Sequence, residues 1–528
     1  MKQIIFLLSY SLILFQAFSQ EIIKTFQIEK NYINIPISAK QARQKVAFGG
    51  SAAMSTYSNI RIADAEVDYW VFKDVSQWKG STIELRFSQS VKGIDMIYQS
   101  DRFAGEDSVY KESKRPQVHF STRRGWINDP NGLIYLNGEY HLFYQHNPYE
   151  WEWENMHWGH AVSKDLVHWK ELPDALYPDS LGTMFSGSAV LDKKNDAGWG
   201  KDALVVFYTA AGKKMTQNIA YSRDGGKSFT KYSGNPILGP DRDPKVFWHE
   251  PSKNWVLVLY NVNYNEIYNS KDLKNWTYKS RVDGFYECPD LFELSVDGNP
   301  NKKKWVMYGA SGTYMIGSFD GSHFTPEQGK YMYTSGSLYA AQTFSNISDG
   351  RTLQIGWGRI PHPGMPFNNM MLFPNELSLK TTPEGVRLYC VPAREIALLH
   401  NKKHEWKNAS VDEVNKGLAG VKGGIYHGIL DFELDKGLGM ELHYKGAPII
   451  YYDGNYNSFN HINYINDDPK RFRFKVEFII DRTSVEAFMD NGKLFISDAL
   501  KYKSDEGLKL MGGIKVHSLE LYELNSIW

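Results

Sequence analysis

The stretch "SKDLVHW", residues 163–169, decides the fold because it returns in altered form along the middle of the chain. "SRDGGKSF" begins at Ser222, "SKDLKNW" at Ser270 and "SFDGSHF" at Ser318, so the copies are spaced 59, 48 and 48 residues apart. Each copy follows an apolar segment typical of a buried β-strand, and a fifth such segment, "RTLQIGWGR", begins at Arg351. Self-similarity at this period is typical of a β-propeller, and the count predicts five blades. The alternative, tandem hairpins in one open sheet, is disfavoured because so wide a sheet curls or splits.

The rest of the chain also consists of short segments rich in Val, Ile, Tyr, Phe and Trp between turn-forming residues, which predicts an all-β protein. Segments such as "STIELRFSQS" before the repeats predict a small extra β-domain, and "FRFKVEFIID" after them is typical of a β-sandwich. The polar stretch "KKHEWKNASVDEVNKG", residues 402–417, is predicted to be a loop. The predicted division is a signal peptide at 1–19, an N-terminal β-domain at 22–110, a five-bladed propeller at 113–393 and a C-terminal β-sandwich at 396–528.

The start of the chain predicts export to the periplasm or the medium. A lysine, an apolar stretch and the small-x-small site Ala17-Phe18-Ser19 are typical of a signal peptide. The apolar run is short for a membrane anchor, and no later segment is long enough to span a bilayer. Lys+Arg and Asp+Glu are both 60, so net charge gives no reason to expect nucleic acid or an anionic membrane as partner. The sequence makes no prediction about oligomeric state.

Cysteine and histidine usage argues against metal and cofactor chemistry. The only two cysteines, Cys288 and Cys390, exclude a disulfide framework, although a single bridge is compatible with the count. His157 and His160 are three residues apart, which on a strand sends them to opposite faces. No phosphate-binding glycine loop and no Gly-x-Ser-x-Gly motif occurs. We therefore expect neither a metal nor a cofactor.

Three carboxylates stand out as candidate catalytic residues. Asp129 lies in "GWINDPNG", whose turn formers predict a turn before a hairpin with Asn137-Gly138 at its tip. Asp243, like Asp129, precedes a proline and is expected to be extended. Glu287 lies ahead of an apolar strand, in "YECPDLF". A propeller gathers the first strands of its blades around one axis, so these residues, from blades one, three and four, are expected to converge. Two carboxyls suffice for glycoside hydrolysis, and a third can hold sugar hydroxyls. Taken singly, Asp243 could also be a turn residue and Glu287 a charged residue at the rim of the propeller.

Together, these motifs resemble glycoside hydrolase family 32, the invertase, inulinase and levanase family. The resemblance covers about residues 113–528 and is carried by seven motifs in the family's order: "WINDPNG", "HWGHAVSKDLVHW", "FSGSAV", "RDPKVF", "ECPDLF", "FPNELSL" and "IIDRTSVEAFMDNG". It implies a five-bladed propeller followed by a β-sandwich, in agreement with the repeat count.

The resemblance also implies roles for individual residues. It implies Asp129 as nucleophile, Glu287 as general acid/base, and Asp243 as the stabiliser that grips fructosyl hydroxyls. The residues it implies for substrate binding are Asn128, Gln145, Trp153, Phe185, Ser186, Arg242 and Trp357, with ordinary packing as the alternative for the two tryptophans. Glu154 departs from the family, whose members commonly carry a small residue there, and the module at 22–110 lies outside the usual plan, where it either binds polymer or braces the propeller.

The predicted function is retaining, exo-acting release of fructose from β-D-fructofuranosides such as levan, inulin or sucrose. An endo-acting fructanase and a fructosyltransferase would use the same catalytic residues, so both stay open. A non-catalytic fructan-binding propeller is disfavoured because a binding-only site gains nothing from three adjacent charges. An arabinan-cleaving five-bladed enzyme is disfavoured by the detail of the motifs.

Overall fold

The computed structural model describes residues 21–50, 53–54, 56–88, 92–435, 439–463 and 472–528. The predicted signal peptide lies outside these residues. Within them most of the regular secondary structure is β-strand, and none of the helices is long and apolar enough to cross a membrane. The chain divides into two compact units, one ending at Arg102 and one running from Phe103 to Trp528.

The first unit contains two small sheets. Its strands are β1 (Ile22–Gln27), β2 (Tyr32–Ile37), β3 (Gln44–Gly50), β4 (Ala53–Met54), β5 (Ser58–Ile60), β6 (Tyr69–Asp74), β7 (Thr82–Phe87) and β8 (Tyr98–Ser100). One sheet has the order β1-β7-β3-β4 with β5 paired to β3, and the other has the order β6-β2-β8. Short 3-10 helices cover Ser76–Trp78 and Lys92–Met96. In β7 alternate residues such as Leu85 and Phe87 are buried, as the period of two requires for a strand with one face on a core, whereas β2 is buried from Ile33 to Ile37 without alternation.

The second unit begins with three antiparallel sheets of successive strands. Their strands are β9 (Gly125–Leu136), β10 (Glu139–Asn147), β11 (His157–Ser163), β12 (Trp169–Leu176); β13 (Thr183–Asp192), β14 (Ala203–Ala211), β15 (Met215–Ser222), β16 (Thr230–Lys231); and β17 (Arg242–His249), β18 (Asn254–Asn261), β19 (Tyr264–Ser270), β20 (Thr277–Asp283). A 3-10 helix at Glu106–Ser108 precedes them. The apolar segments that mark the repeat form the second strand of each sheet and are almost completely buried.

The next strands form one nine-stranded sheet rather than two separate ones. The strands of this region are β21 (Asp290–Val296), β22 (Asn299–Tyr308), β23 (Thr313–Phe319), β24 (Phe324–Met332), β25 (Thr334–Gly336), β26 (Leu338–Thr343), β27 (Thr352–Gly358), β28 (Phe367–Asn368), β29 (Met370–Met371), β30 (Asn375–Thr382) and β31 (Gly385–Pro392). The sheet order is β24-β23-β22-β21-β30-β27-β26, with β29 and β31 at its side. A single parallel pair, Val296 with Leu379, joins β21 to β30. β28 instead pairs with β9.

The sequence repeat is confirmed as a structural repeat. Each Ser-x-Asp copy connects the third and fourth strands of its unit. In three copies the serine hydroxyl donates to the aspartate two residues later, at 3.0 Å for Ser163, 2.7 Å for Ser222 and 3.0 Å for Ser270. The same aspartates accept backbone N–H groups from the turn, an arrangement that Asp favours because its short side chain reaches its own backbone.

The first strands of the units surround a common axis, as in a β-propeller. β9 contacts β13 and β26, and β13 contacts β17. Near the axis, Lys245 of β17 donates to Asp290 of β21 at 3.0 Å and to the Thr343 carbonyl of β26 at 3.1 Å. Buried charges are stable only when they are paired in this way, and these contacts link the first strands β17, β21 and β26.

The C-terminal part is a β-sandwich. Its strands are β32 (His400–Ala409), β33 (Tyr426–Leu434), β34 (Gly439–Tyr444), β35 (Ala447–Asp453), β36 (Ser458–Phe459), β37 (Ile462–Asn463), β38 (Arg473–Ile480), β39 (Ser484–Met489), β40 (Leu494–Ala499), β41 (Lys509–Gly512) and β42 (Ile514–Leu524). One sheet has the order β25-β40-β39-β38-β33-β42-β32, and the other has the order β37-β36-β35-β34-β41. A 3-10 helix at Arg394–Leu399 leads into the sandwich, whose apolar core lies between the two sheets.

The predicted loop at 402–417 is wrong. Most of it is strand β32 and a helix, α1 (Val411–Leu418). Ser410 caps the helix, since its side chain accepts from the Glu413 backbone while the Glu413 side chain accepts from the Ser410 backbone. Val414 and Leu418, four residues apart, bury one helix face. Two apolar residues among many polar ones are a weak signal in sequence, but they are enough when the sandwich covers them.

Candidate active site

Asp129 lies within strand β9 and not in the predicted turn. The chain turns only at Asn137 and Gly138, whose φ values of 53° and 85° confirm the predicted hairpin tip. The pairing of β9 with β10 is interrupted twice, and Pro130 lies opposite Tyr144 between the two interruptions. Such irregularities admit a proline and re-aim neighbouring side chains. The turn formers therefore mark an irregular strand that presents Asp129.

Asp243 lies near the start of β17, and its predicted extended conformation is wrong. Its φ is 65°, in the left-handed region that residues other than glycine rarely adopt. The backbone N–H of Asp243 donates to the Thr209 hydroxyl at 3.0 Å, and the ladder with β18 is irregular between Arg242 and Lys245. Strained backbone of this kind is characteristic of functional sites.

Glu287 lies in the connection that leads into β21. Both Glu287 and Cys288 have left-handed φ values, 46° and 42°. The Arg242 guanidinium donates to one carboxylate oxygen of Glu287 at 2.6 Å, and the Tyr339 hydroxyl donates to the other at 2.7 Å. Strands β17 and β26 thus fix a side chain that precedes β21.

The Cys288 thiol joins the two aspartates. Its sulfur lies 3.5 Å from Oδ2 of Asp129 and 3.6 Å from Oδ2 of Asp243, and its backbone N–H donates to Asp243 at 3.1 Å. Burial and the nearby charges of Asp243 and Asp129 raise the pKa of this thiol, so it stays protonated. Neither Cys288 nor Cys390 forms a disulfide. The three predicted carboxylates therefore converge on one place.

The electrostatics differ between the two aspartates. Burial raises the pKa of Asp129, hydrogen bonds from Ser186 and Asn128 oppose that rise, and the charge of Glu287 adds to it. Burial and the charge of Asp129 raise the pKa of Asp243 to about 7. Like charges that share a desolvated site cannot all ionise easily. Around neutral pH the cluster therefore retains a proton that isolated carboxyls would have lost.

Asn128 and Ser186 hold Asp129. The Asn128 amide donates to one oxygen at 3.1 Å and the Ser186 hydroxyl to the other at 2.7 Å. The Trp126 indole N–H donates to the Asn128 side-chain oxygen at 2.8 Å, which orients the amide. Donors on both oxygens favour the ionised form of the carboxylate and fix its direction.

Trp153 and Phe185 form an aromatic wall. Their rings meet edge to face with centroids 5.7 Å apart, and half of the Trp153 surface is exposed. Gln145 is buried and donates its amide to the Met184 carbonyl at 2.9 Å, next to Phe185 in β13. Trp153 is therefore open to a ligand, whereas Gln145 supports the strand that carries Phe185 and Ser186.

Trp357 contacts two aromatic residues of the site. Its ring makes edge contacts with Trp126 at 5.8 Å and with Tyr339 at 6.1 Å. Through these contacts Trp357 touches both the residue that orients Asn128 and the residue that bonds Glu287. Trp357 and Gln145 thus reach the carboxyls through neighbouring residues, and the roles predicted for all ten site residues stay predictions.

Sequence reasoning missed Tyr339, Trp126, Thr209 and the thiol of Cys288. Trp126 and Cys288 lie in the quoted motifs beside Asn128 and Glu287, where a tight polar cluster needs donors. Tyr339 and Thr209 have no local signal, because only the register of β26 and β14 brings them to the site. Among the residues that the structure describes, no group of three or more His, Cys, Asp or Glu is arranged to hold a metal ion.

The chain resembles known proteins over most of its length. Residues 119–392 match the family model described as "Glycosyl hydrolases family 32 N-terminal domain". A levanase of Bacillus subtilis (strain 168) is 40% identical, in an alignment that covers 82% of this chain and 74% of that protein. An extracellular exo-inulinase of Aspergillus awamori is 35% identical, in an alignment that covers 56% of this chain and 67% of that protein.

Solved structures also match this chain in fold. The crystal structure of exo-inulinase from Aspergillus awamori matches with a TM-score of 0.69 and 28% identity, covering 79% of this chain and all of that one. A fructofuranosidase from Schwanniomyces occidentalis complexed with fructose matches with a TM-score of 0.68 and 26% identity, covering 79% and 99%.

Proposed function

The chain belongs to glycoside hydrolase family 32 and is a glycosidase of fructans, and we propose that it releases fructose from the ends of β-D-fructofuranosides with retention of configuration. The observation that carries this proposal is the convergence of Asp129 from β9, Asp243 from β17 and Glu287 from the connection before β21, with the Cys288 thiol against both aspartates. Three carboxyls in one desolvated place are costly to maintain, so their presence calls for a chemical role.

We assign the nucleophile to Asp129. Its two oxygens accept from Asn128 and Ser186, which keep the carboxylate ionised and aimed. The proton that the cluster retains is assigned to Asp243, whose pKa is about 7. A neutral Asp243 lowers the repulsion on Asp129 and can donate to a sugar hydroxyl as well as accept from one.

We assign general acid/base catalysis to Glu287. In the first step Glu287 carries a proton of its own, besides the one on Asp243, and gives it to the departing oxygen as Asp129 attacks the anomeric carbon. The bond from that carbon to the departing oxygen breaks, and a covalent fructosyl-enzyme forms on Asp129. In the second step Glu287 takes a proton from water, whose oxygen attacks the same carbon and frees Asp129. Arg242 and Tyr339 hold Glu287 between these steps, because each binds a different carboxylate oxygen.

The fructosyl unit is assigned to the space bounded by Trp153, Phe185 and the carboxyls, with Asn128 and Ser186 beside it. The exposed Trp153 face offers an apolar surface for the C–H groups of a sugar ring. Exo action is proposed because extracellular exo-inulinases are among the relatives. For the same reason, and because of the signal-peptide pattern, we propose export.

We also propose the number of propeller blades and the limits of the domains. We infer five blades, since the nine-stranded sheet contains two antiparallel four-stranded sets, β21–β24 and β26 with β27, β30 and β31, joined by one parallel pair. The domain limits predicted from sequence, 22–110, 113–393 and 396–528, stay a proposal, since β25, within 113–393, pairs with β40 of the sandwich.

Two variants test the catalytic assignment. Asp129→Asn and Glu287→Gln should each lower kcat on sucrose by at least about a thousandfold while leaving the thermal unfolding temperature nearly unchanged. Asp283→Asn and Glu293→Gln are matched controls, since both side chains are exposed on strands β20 and β21. Near-normal rates in either catalytic variant would refute the assignment.

The products test the reaction. A timed profile from levan, inulin and sucrose should contain fructose alone from the first sample, and NMR should show the β-anomer first. Early mixed oligosaccharides would identify endo action instead. Oligomers longer than the substrate as main product at high sucrose would identify a fructosyltransferase.

A further inference from the structure

A cavity lies toward the other end of strands that contribute to the candidate active site. It has a volume of about 500 Å³ and is lined in part by Val190, Leu191, Phe247, Trp248, Ser345 and Asn346. These residues lie at or just beyond the C-terminal ends of β13, β17 and β26. The N-terminal halves of the same strands carry Ser186, Asp243 and Tyr339. We call this the basal cavity. At a rise of about 3.3 Å per residue, the five residues from Asp243 to Trp248 separate the two places by roughly 17 Å.

Two tryptophans form one wall of the basal cavity. Trp248 and Trp255 meet edge to face at 5.2 Å. Their indole N–H groups donate to carboxylates that also line the cavity, Trp248 to Glu250 at 2.5 Å and Trp255 to Asp196 at 2.9 Å. The wall therefore combines aromatic surface with carboxylates whose positions the indoles fix.

The basal cavity carries charges of both signs, and one of its carboxylates, Glu250, also pairs with Lys253. Lys193 and Lys194 line it together with Asp196 and Glu250, and the Lys194 ammonium lies 4.4 Å from the centre of the Trp248 ring. A free anion would meet the carboxylates and a free cation would meet the lysines. A neutral ligand with many hydroxyls meets neither problem, because its hydroxyls can donate to the carboxylates and accept from the ammonium groups.

We propose that the basal cavity is a second carbohydrate site, which binds fructosyl units of a polymer remote from the bond being cleaved. The proposal rests on the proposed function for the choice of sugar. The volume lies within the range of small-molecule sites, and indole surface beside fixed polar groups suits a ring with one apolar and one hydroxylated side.

A second contact with the same polymer raises its effective concentration at the active site. The gain applies only to chains long enough to reach both ends of the propeller. Sucrose, a disaccharide, cannot do so. The basal cavity should therefore affect turnover of levan and inulin and not turnover of sucrose.

Trp248→Ala tests the proposal. In otherwise unaltered enzyme, we expect kcat/KM on levan or inulin to fall about three- to tenfold while kcat/KM on sucrose stays within about 1.5-fold. Tyr278→Ala is the matched control, an exposed aromatic side chain on strand β20, and should change neither. A parallel loss on polymer and sucrose, or no loss on either, would overturn the proposal.

Direct binding gives a second readout. Native electrophoresis through gels with and without levan or inulin should show retardation of the Asp129→Asn protein, and adding Trp248→Ala should reduce that retardation by half or more. Since Trp248 is half-buried and Trp248→Ala could unfold the chain, the double variant Lys194→Ala/Glu250→Ala removes two exposed side chains of the cavity and should act in the same direction. Unchanged retardation in both would overturn the basal site.

The two proposals fail separately. If the unaltered enzyme cleaves neither sucrose nor a fructan, the proposed function is wrong whatever Trp248 does. If it cleaves both and retardation is independent of Trp248, only the basal site is wrong.

Discussion

The Arg242 guanidinium and the Glu287 carboxylate lie 2.6 Å apart, although Arg242 opens β17 and Glu287 precedes β21 in a different sheet. The same guanidinium lies 3.8 Å from Asp243 and 4.7 Å from the centre of the Tyr260 ring. One side chain thus connects two carboxyls of the site and rests on an aromatic face, which a planar guanidinium does well and an ammonium does not.

Replacing Arg242 should therefore damage catalysis more than folding. We expect Arg242→Ala to lower kcat/KM on sucrose by about a hundredfold or more, since Glu287 loses the donor that positions it. Arg242→Lys should recover little of this loss because lysine cannot span both carboxyls. Arg281→Ala is the control, an exposed arginine on β20. A lysine variant with near-normal kcat/KM would mean that charge alone matters.

Tyr339 should act through Glu287. Tyr339→Phe keeps the ring that packs on Trp357 and removes only the hydroxyl that bonds Glu287. We expect kcat on sucrose to fall about tenfold with little change in KM, as for a group that assists proton transfer rather than binding. Tyr278→Phe is the control. A rise in KM with unchanged kcat would instead place Tyr339 in the substrate pocket.

The sequence predicted the structure correctly where a residue type favours one local backbone geometry. The Ser-x-Asp turns revealed the repeat because their side chains close their own turn, and the repeat brought Asp129, Asp243 and Glu287 to one end of an axis. It was misleading where tertiary context decides. The conformation of Asp243 depends on Thr209, in another sheet, which accepts from its backbone. Tyr339 has no motif of its own, and helix α1 depends on a sandwich that covers Val414 and Leu418.

The ionised Asp243 carboxylate should destabilise the folded protein at neutral and alkaline pH. Its pKa rises from 3.8 to about 7, so the folded state favours the protonated carboxyl, and stability falls as pH rises from about 4 to 7. Asp243→Asn does not titrate and can still accept the Cys288 N–H. We expect the variant to unfold a few degrees above the parent at pH 8, a gain of the order of 2 kcal/mol given the coupling to Asp129, and with no advantage near pH 4. Scanning calorimetry at both pH values tests this, and equal unfolding temperatures at pH 8 would contradict it.

Trp153 should contribute to binding and not to stability. Half of its surface is exposed, and its ring touches Phe185 only by an edge. We expect Trp153→Ala to raise KM for sucrose about tenfold, with an unfolding temperature within about 1 °C of the parent. Trp153→Phe, which keeps an aromatic face, should lie between the two. An unfolding temperature that falls sharply in the alanine variant would show that the indole is packing and not a sugar platform.

His119 should make the junction between the propeller and the sandwich sensitive to alkaline pH. The buried imidazole bonds Asp481 at 2.7 Å and Glu486 at 2.8 Å, and Asp481 also accepts the backbone N–H groups of Gln117 and Val118. Burial lowers the pKa of His119, but the hydrogen bonds and charges of the two carboxylates outweigh it and raise the pKa from 6.5 to about 9. Because the folded pKa is raised, the stabilisation is fully present below pH 6.5 and is lost as pH rises through about 9.

His119→Gln should destabilise the protein by about 3–5 kcal/mol at pH 6, since two buried carboxylates lose their cation. The matched control is His323→Gln, an exposed histidine. Unfolding temperatures measured from pH 6 to 9.5 should decline through this window in the parent and in the control, whereas the His119→Gln protein should lack that decline; the same decline in all three would show that His119 carries no charge in the folded protein.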